Sequence, residues 1–347
     1  MRHNFINDDT PAKPTMATAL TISTVILSFL ITLFVLPGWI KIARSRGLTG
    51  KDVHKIGQYE VAELGGLVVM LGTIIGILAY IAAQVFVYNN KEPMLYILAA
   101  TASILIATVI GLVDDILGWK IGLRQYQKAI LSSLIALPIM VVNAGESTMA
   151  LPFIGMINIG LLYPLIVIPG GIVGASNAFN MLAGFNGLEA GMGMIIIGTE
   201  GFLAWQLGSK TAVIIAACAF MALLAFFGFN RHPSLVFPGD TLTYPTGTII
   251  AIIAILGNIE KFALILFIPY FLECILKLRG LMQKESFGKT LPDGTLTNRY
   301  EKWYGLTHIT ISLLRNTIGK AKEKYVVLTL FYFEAIIAVI TLTIFYS

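Results

Sequence analysis

Two adjacent carboxylates, Asp114 and Asp115, end an apolar run of about twenty residues in the stretch GLVDDILGWK. Carboxylates are costly in hydrocarbon, so an acidic pair at this place is a candidate for function. An acidic pair is also common at a solvated helix end, and the pair alone does not decide between the two. Carboxylate oxygens suit magnesium, which proteins usually hold between carboxylates and substrate phosphates.

Further oxygen donors lie on other polar stretches: Asp240 in NRHPSLVFPGD, and Asn180 and Asn186 in NAFNMLAGFNGLEAG. Cationic side chains that can receive phosphate oxygens are Lys51, Lys55, Lys128, Arg231 and Lys284. Close approach of backbone to a ligand is allowed by Gly184, Gly187, Gly191 and Gly239. Together these residues predict magnesium-dependent phosphoryl transfer, with Mn²⁺ as an alternative ion.

Each of these residues also has a purely structural interpretation. Asp240 precedes Thr241 and is a candidate N-cap, the two asparagines are common turn residues, and Lys128 can snorkel at a membrane interface. The sequence has no HExxH, no paired Cys/His set, no GxSxG and no P-loop, so zinc and serine chemistry are not indicated. The coincidence of the polar residues favours function.

The composition is that of a membrane protein. Hydrophobic residues make up 56% of the 347 and charged residues 12%, and the mean hydropathy is +0.81. A soluble protein of this length carries about twice that charged fraction. We therefore expect an all-α polytopic protein forming a single integral membrane domain over residues 1–347. Its partner is the lipid bilayer, and no nucleic-acid partner is expected.

About ten apolar runs are long enough to cross a bilayer. They cover approximately residues 17–40, 65–88, 94–113, 123–142, 157–175, 188–207, 211–228, 241–258, 261–277 and 325–346. The fifth run contains Pro164 and Pro169, which predict a break or kink. The long loop 278–323 between spans nine and ten contains a PDG turn, which predicts a small β-hairpin.

Basic residues are distributed unevenly over these loops. Of the 24 Lys and Arg residues, five fall on one face, namely Arg2, Lys13, Lys91, Lys210 and Lys261. The other 19 fall on the opposite face, which the positive-inside rule makes cytoplasmic. Both termini are then predicted on the outer or lumenal side. All the polar motifs share the cytoplasmic face, as expected of a site that handles an ionic substrate beside lipid.

The motifs GLVDD, NAFNMLAGFNGLEAG and VFPGD resemble those of the polyprenyl-phosphate N-acetylhexosamine-1-phosphate transferase superfamily. The similarity is closest to its archaeal and eukaryotic dolichyl-phosphate GlcNAc-1-phosphotransferase branch, which GKDVHK and VAELGG also fit. It extends from about residue 35 to 275. It implies ten spans, a cytoplasmic active site and transfer of GlcNAc-1-phosphate from UDP-GlcNAc to a polyprenyl or dolichyl phosphate, with release of UMP.

The resemblance also implies roles for individual residues. Asn180 and Asp240 occupy the family's magnesium-binding positions. Asp114 and Asp115 occupy the aspartate pair, one of which deprotonates or positions the lipid phosphate. Because two adjacent carboxylates titrate as a coupled pair, the base is not assigned between them. Lys128 matches the basic residue that contacts the donor pyrophosphate.

Substrate-binding positions follow from the same resemblance. They are Lys51, Asp52 and Glu63 in the first cytoplasmic loop, and Asn186, Gly187 and Glu189 where the uridine is held. The last loop departs from the family, because it lacks the arginine or histidine cluster found there in relatives. Lys284, Lys289 and Arg279 are the candidates to replace it, and Lys284 is assigned to substrate binding.

Three further questions stay open from sequence. A related phosphotransferase could use another UDP-N-acetylhexosamine. A secondary transporter would suit the broken helix and the carboxylates within apolar runs. Its polar groups should lie near the membrane midplane, however, whereas here they cluster in loops on one face. A homodimer is neither required nor excluded.

Overall fold

A computed structural model describes residues 16–57, 59–91, 94–121, 125–151 and 155–347, without the side chains of 16–18, 118–121, 125, 126, 129 and 149–151. The predictions for Arg2 and Lys13 lie outside the described residues. The helices are α1 (Met16–Ser45), α2 (Gly66–Phe86), α3 (Met94–Ile121), α4 (Gln125–Val141), α5 (Ile168–Met181), α6 (Leu188–Gln206), α7 (Lys210–Asn230), α8 (Asp240–Gly257), α9 (Glu260–Leu266), α10 (Ile268–Arg279), α11 (Leu306–Ile318) and α12 (Glu323–Tyr346).

Three short antiparallel strand pairs join these helices. They are β1 (Thr49–Lys51) with β2 (Glu60–Ala62), β3 (Thr148–Leu151) with β4 (Gly155–Asn158), and β5 (Lys289–Thr290) with β6 (Leu296–Thr297). The β1–β2 pair lies in the first loop with Lys51 opposite Glu60. The β5–β6 pair has two residues in each strand and lies in the segment where the sequence predicts a hairpin.

Seven helices among the described residues are long and apolar enough to cross a membrane, so the chain is a multi-pass integral membrane protein. They correspond to the predicted spans one, two, three, five, seven, eight and ten. The other three predicted spans fall short for local reasons. The apolar part of α4 is Ile130–Val141, α6 carries Glu189 and Glu200, and the ninth span is divided at Phe267 into α9 and α10.

The predicted irregularity in the fifth span is present as a π-helical turn. Residues Tyr163–Val167 form this turn, and α5 continues from it directly. Pro164 and Pro169 lack the backbone N–H that a regular α-helix needs, so the turn widens at this place. The irregularity is thus a π-helical turn, and Tyr163–Met181 continues as one helix without the predicted break.

Helix α8 is the centre of the bundle and contacts α2, α3, α5, α6 and α7. Thr246 and Thr248 donate to carbonyls of their own helix, at 2.6 Å to Leu242 and 2.9 Å to Tyr244, whereas Thr243 donates to Asn180 Oδ1 on α5. Small side chains without exposed polar groups allow neighbouring helices to approach closely. Peripheral helices instead turn large apolar side chains outward, such as Phe34 on α1 and Tyr332 on α12. The first residues of α8 are therefore held on several sides.

Candidate active site

Asp115 fixes the start of the central helix. Its Oδ1 accepts the backbone N–H of Asp240 at 2.8 Å, and its Oδ2 accepts that of Thr241 at 3.0 Å. The first N–H groups of a helix have no partner within the helix, and a carboxylate there also meets the positive end of the helix dipole. Asp115 on α3 thus caps α8, a role that the sequence suggested for Asp240 itself.

Asp114, its neighbour on α3, belongs to a different group of side chains. Lys128 on α4 forms an ion pair with Asp114 Oδ2, and its Nζ lies 3.5 Å from Asp240 Oδ2. The Asn180 amide at the end of α5 donates to Asp240 Oδ2 at 3.3 Å. These four residues, from α3, α4, α5 and α8, are termed the carboxylate–lysine cluster.

Close backbone packing holds this cluster together. A Cβ on Gly111 would collide with the carbonyl oxygen of Asp240, so only glycine lets α3 lie directly against the start of α8. Gly239 precedes α8 with φ +70°, and a Cβ there would meet Asp115 Oδ2. Both glycines allow α3 to lie close against the start of α8. The positions of Asp114 and Asp240 relative to each other are set by backbone.

A cavity of about 270 Å³ opens beside the cluster. Its walls come from the first loop, the α5–α6 loop, the α7–α8 loop and the last loop. Nine of the sequence-predicted residues line it: Lys51, Asp52, Glu63, Asn180, Gly184, Asn186, Glu189, Gly239 and Asp240. Four chain segments separated in sequence therefore converge on one space, as the motifs predict.

Two polar atoms of this cavity's walls lack a partner within the described part of the chain. Glu189 Oε2 and Asn230 Oδ1 are buried and make no hydrogen bond there. Buried polar atoms are nearly always satisfied by protein, water or a bound group, so these two mark where a polar ligand is expected. Asn230, at the end of α7, was not singled out from sequence.

Glu63 lies at the edge of the cavity nearest the aspartates. Burial raises the pKa of its carboxyl above the ordinary value of 4.5, and the charge of Asp115 raises the pKa further. Its backbone carbonyl accepts the Trp39 indole N–H at 2.9 Å, which ties the first loop to α1. Glu63 is thus a cavity-lining acid whose charge depends on pH.

A second polar group lies on the other side of the cavity and was missed from sequence. Glu323, the first residue of α12, accepts the Asn186 backbone N–H at 2.9 Å and the Lys55 ammonium at 3.0 Å. His232 Nδ1 is 3.0 Å from the same carboxylate, and His54 Nδ1 is 3.6 Å away. This set, with Asp52 included through its contact with Asn186, is termed the Glu323 cluster: Asp52, His54, Lys55, Asn186, His232 and Glu323.

Comparison with known proteins places this geometry in a family. The sequence profile described as glycosyl transferase family 4 matches residues 94–258. A Saccharolobus solfataricus protein, provisionally named UDP-N-acetylglucosamine–dolichyl-phosphate N-acetylglucosaminephosphotransferase, is 36% identical over 318 residues, covering 91% of this chain and 94% of its own. The chain belongs to glycosyl transferase family 4.

Two further relatives are less similar to this chain. The Schizosaccharomyces pombe UDP-N-acetylglucosamine–dolichyl-phosphate N-acetylglucosaminephosphotransferase is 28% identical over 67% of this chain and 60% of its own. The phospho-N-acetylmuramoyl-pentapeptide-transferase of Halalkalibacterium halodurans is 29% identical over 77% of this chain and 84% of its own. The family resemblance drawn from the sequence motifs is confirmed.

The family 4 profile covers α3 to α8, and with them the whole carboxylate–lysine cluster. The first loop and Glu323 lie outside the matched residues. Two predicted substrate-binding residues differ in placement from the rest. Gly187, with φ +85°, is the residue from which α6 starts, and it does not line the cavity. Lys284 is exposed, away from the cavity lining, with its ammonium 5.1 Å from the centre of the Tyr300 ring.

Aromatic walls were also missed from sequence. Phe185, Phe237 and Phe287 line the cavity, and the Phe185 ring packs on His54 with centroids 4.2 Å apart. A signal was available for two of them. Phe185 and Phe237 stand inside the polar motifs GFNGL and FPGD, where an apolar ring is out of place unless it faces a ligand or packs under one.

The donor set at the carboxylate–lysine cluster suits a divalent cation. Among the described side chains, the carboxylates of Asp114 and Asp240 meet one ammonium group, that of Lys128. This excess of negative charge on hard oxygen donors is the chemistry that magnesium requires. The Asn180 amide beside them donates its NH₂ to Asp240 and accepts the Thr243 hydroxyl at its oxygen. The residues present therefore fit the predicted ion.

Proposed function

We propose that this protein transfers GlcNAc-1-phosphate from UDP-GlcNAc to a polyprenyl or dolichyl phosphate, giving the lipid diphosphate sugar and UMP. The names of the S. solfataricus and S. pombe relatives support this donor and acceptor. The observation that carries the proposal is the cavity itself. It joins a carboxylate–lysine cluster at the end of four helices to a polar wall with unpartnered buried atoms.

The membrane arrangement follows from the same proposal. Helices α4, α6 and the α9–α10 pair complete ten spans, so that both termini lie on the outer or lumenal side. The cavity then faces the cytoplasm, together with 19 of the 24 basic residues. A soluble nucleotide sugar reaches it from water, and the lipid phosphate reaches it from the membrane edge.

In the reaction, an oxygen of the lipid phosphate attacks the phosphorus that bears the sugar. A new P–O–P bond forms, the bond to the UMP phosphate breaks, and UMP leaves with the bonding pair. Both substrates are anionic, so cationic groups must offset their repulsion. Lys128 and Lys51 supply that charge, from the cluster and from the cavity wall respectively.

Asp114 and Asp115 have different roles in this proposal. Both oxygens of Asp115 are engaged by backbone N–H groups of α8, so Asp115 holds the centre together. Asp114 faces Lys128 and Asp240 and is the residue that positions the lipid phosphate or takes its proton. A phosphate monoester loses its second proton near pH 6, so little base strength is required at neutral pH.

Magnesium, or manganese in its place, would be held by Asp240 and Asn180 with Asp114 nearby. When bound, the ion supplies positive charge against the pyrophosphate and the departing phosphate. Lys128 orients the pyrophosphate, while the first and α5–α6 loops hold the nucleoside through Asp52, Asn186 and Glu189.

The proposal is tested with purified protein, magnesium, UDP-GlcNAc and a short polyprenyl phosphate. Release of UMP that requires both the metal and the lipid phosphate is the expected result. A panel with UDP-GalNAc and other UDP-N-acetylhexosamines distinguishes the alternative donor. Absence of UMP with every such donor, from protein that is monodisperse and thermally stable, would overturn the enzyme proposal.

A further inference from the structure

One asparagine is held from two sides by carboxylates at the nucleotide end of the cavity. The Asn186 backbone N–H donates to Glu323 Oε1 at 2.9 Å, and its side-chain Nδ2 donates to Asp52 Oδ2 at 2.9 Å. A carboxylate offers only acceptors, so the NH₂ end of the amide must face Asp52. The amide oxygen then points away from Asp52, and Asn186 is one of the residues that line the cavity.

Glu323 is itself contacted by groups from separate segments. The Lys55 ammonium, from the first loop, donates to Glu323 Oε2 at 3.0 Å. His232 Nδ1, from the α7–α8 loop, lies 3.0 Å from the same oxygen and accepts from the Lys55 ammonium at 2.8 Å. His54 Nε2 accepts the Gly288 N–H at 3.3 Å, so the proton of its neutral ring lies on Nδ1, toward Glu323. The carboxylate cannot turn away from Asn186 without losing these partners.

A metal site is the competing interpretation of this cluster, because Asp52, His54 and Glu323 bring ligand atoms within 4.8 Å of one another. Two contacts argue against it. The Lys55 ammonium already lies 3.0 Å from Glu323 and 3.8 Å from Asp52, where a cation would bind. His54 Nδ1 carries the proton and has no lone pair for a metal. The Lys55 ammonium therefore already occupies the place that a metal ion would take.

We propose that Glu323 is a positioning residue which, with Asp52, fixes Asn186 with its amide oxygen toward the nucleobase. An acceptor at this point favours a base with a ring N–H, as uracil has at N3. Cytosine has a lone pair there and would face the amide oxygen with repulsion. The pair thus selects uridine over cytidine nucleotides. This inference rests on the proposed function, since it concerns the donor of that reaction.

The test compares UMP and CMP binding with the steady-state kinetics of each variant. Glu323→Ala frees the Asn186 backbone, and we expect UMP affinity to fall about tenfold while CMP affinity stays within about twofold. The KM for UDP-GlcNAc should rise by a similar factor, with kcat little changed. Glu323→Gln keeps an acceptor for the Asn186 N–H and should recover most of the lost affinity.

Asp52→Asn is the second variant, because it is nearly isosteric and lets the Asn186 amide rotate. It should also lower the ratio of UMP to CMP affinity. Glu301→Gln, an exposed acid of the last loop, is the matched control and should behave as wild type. If Glu323→Ala is not recovered folded, Asp52→Asn and Glu323→Gln decide by the same ratio.

The two proposals fail in different ways. Wild-type protein that neither binds UMP nor releases it from UDP-GlcNAc would overturn the proposed function. Wild-type protein that binds UMP, with variants that lose UMP and CMP affinity equally, would overturn only the positioning role. A loss of kcat at unchanged KM in Glu323→Ala would do the same.

Discussion

The carboxylate–lysine cluster and the Glu323 cluster lie on two sides of one cavity and differ in how their carboxylates are held. In the first, carboxylates outnumber the described cation that meets them, Lys128. In the second, Asp52 and Glu323 likewise share one ammonium group, that of Lys55, but Asn186 also donates its backbone N–H to Glu323 and its side-chain NH₂ to Asp52. The first cluster is the one proposed to receive a metal ion, whereas the second joins three loops to the start of α12.

This difference separates reaction from recognition. An excess of buried negative charge is costly, and is retained where a bound cation restores the balance. The contacts of the Glu323 cluster instead fix loops in one arrangement before the ligand arrives, which lowers the entropic cost of binding. Substitutions in the first cluster should therefore affect turnover most, and substitutions in the second should affect donor affinity.

The largest effect is expected at Asp240. Asp240→Asn removes a charge from the proposed metal site while keeping the size of the side chain, and turnover should fall about a thousandfold. UMP affinity should stay within about threefold, because the Glu323 cluster is untouched. UMP release and direct UMP binding measure the two quantities, with Asp293→Asn in the exposed last loop as control. Turnover within tenfold of wild type would contradict the role of Asp240.

The next prediction compares the effects of substituting Asp115 and Asp114 on stability and turnover. Asp115→Ala leaves the N–H groups of Asp240 and Thr241 without their acceptor, and should destabilise the protein by about 2 kcal/mol. Asp114→Ala should be less destabilising and should lower turnover about a hundredfold. Thermal unfolding in detergent and UMP release, measured on both variants, give the two readouts. Equal destabilisation by both substitutions would contradict the division of work between them.

The smallest effect concerns Glu63, which faces Asp115 from the cavity edge. Its pKa is raised in the folded protein, so its contribution to stability is fully present below the ordinary pKa of 4.5. That contribution is lost as the pH rises through the folded pKa. Melting temperatures of wild type should decline over this range more than those of Glu63→Gln. Parallel curves for the two proteins would show that Glu63 is not the titrating group.

Much of the fold could be predicted because lipid imposes long apolar helices. The runs of α1, α2, α3 and α12 are long and nearly free of charge. The prolines of the fifth span predict an irregularity, which is observed as a π-helical turn. Helix α6 is less evident, since Glu189 and Glu200 lower its hydropathy. Those acids are tolerated because α6 packs inside the protein against α7 and α8, which sequence alone does not reveal.

Only part of the candidate site could be predicted, because the sequence does not show which distant segments the fold brings together. Asp114, Asn180 and Asp240 stand in motifs whose topology places them on one face, and they do meet in the carboxylate–lysine cluster. Glu323 lies 137 residues from Asn186, at the start of an apolar helix, where an acid is usually a solvated helix end. Only the fold brings it under the α5–α6 loop. Lys284 was chosen for its charge, which says nothing about the direction in which it points.

The backbone contact at Gly111 has a consequence for how such proteins diversify. Because α3 touches the first residue of α8 without intervening side chains, the aspartates proposed for phosphoryl transfer lie on a closely packed pair of helices. The residues proposed to bind the nucleoside instead lie largely on loops that are joined by side-chain contacts. New donors can therefore arise by exchange of loop residues, while the same transfer chemistry is inherited unchanged.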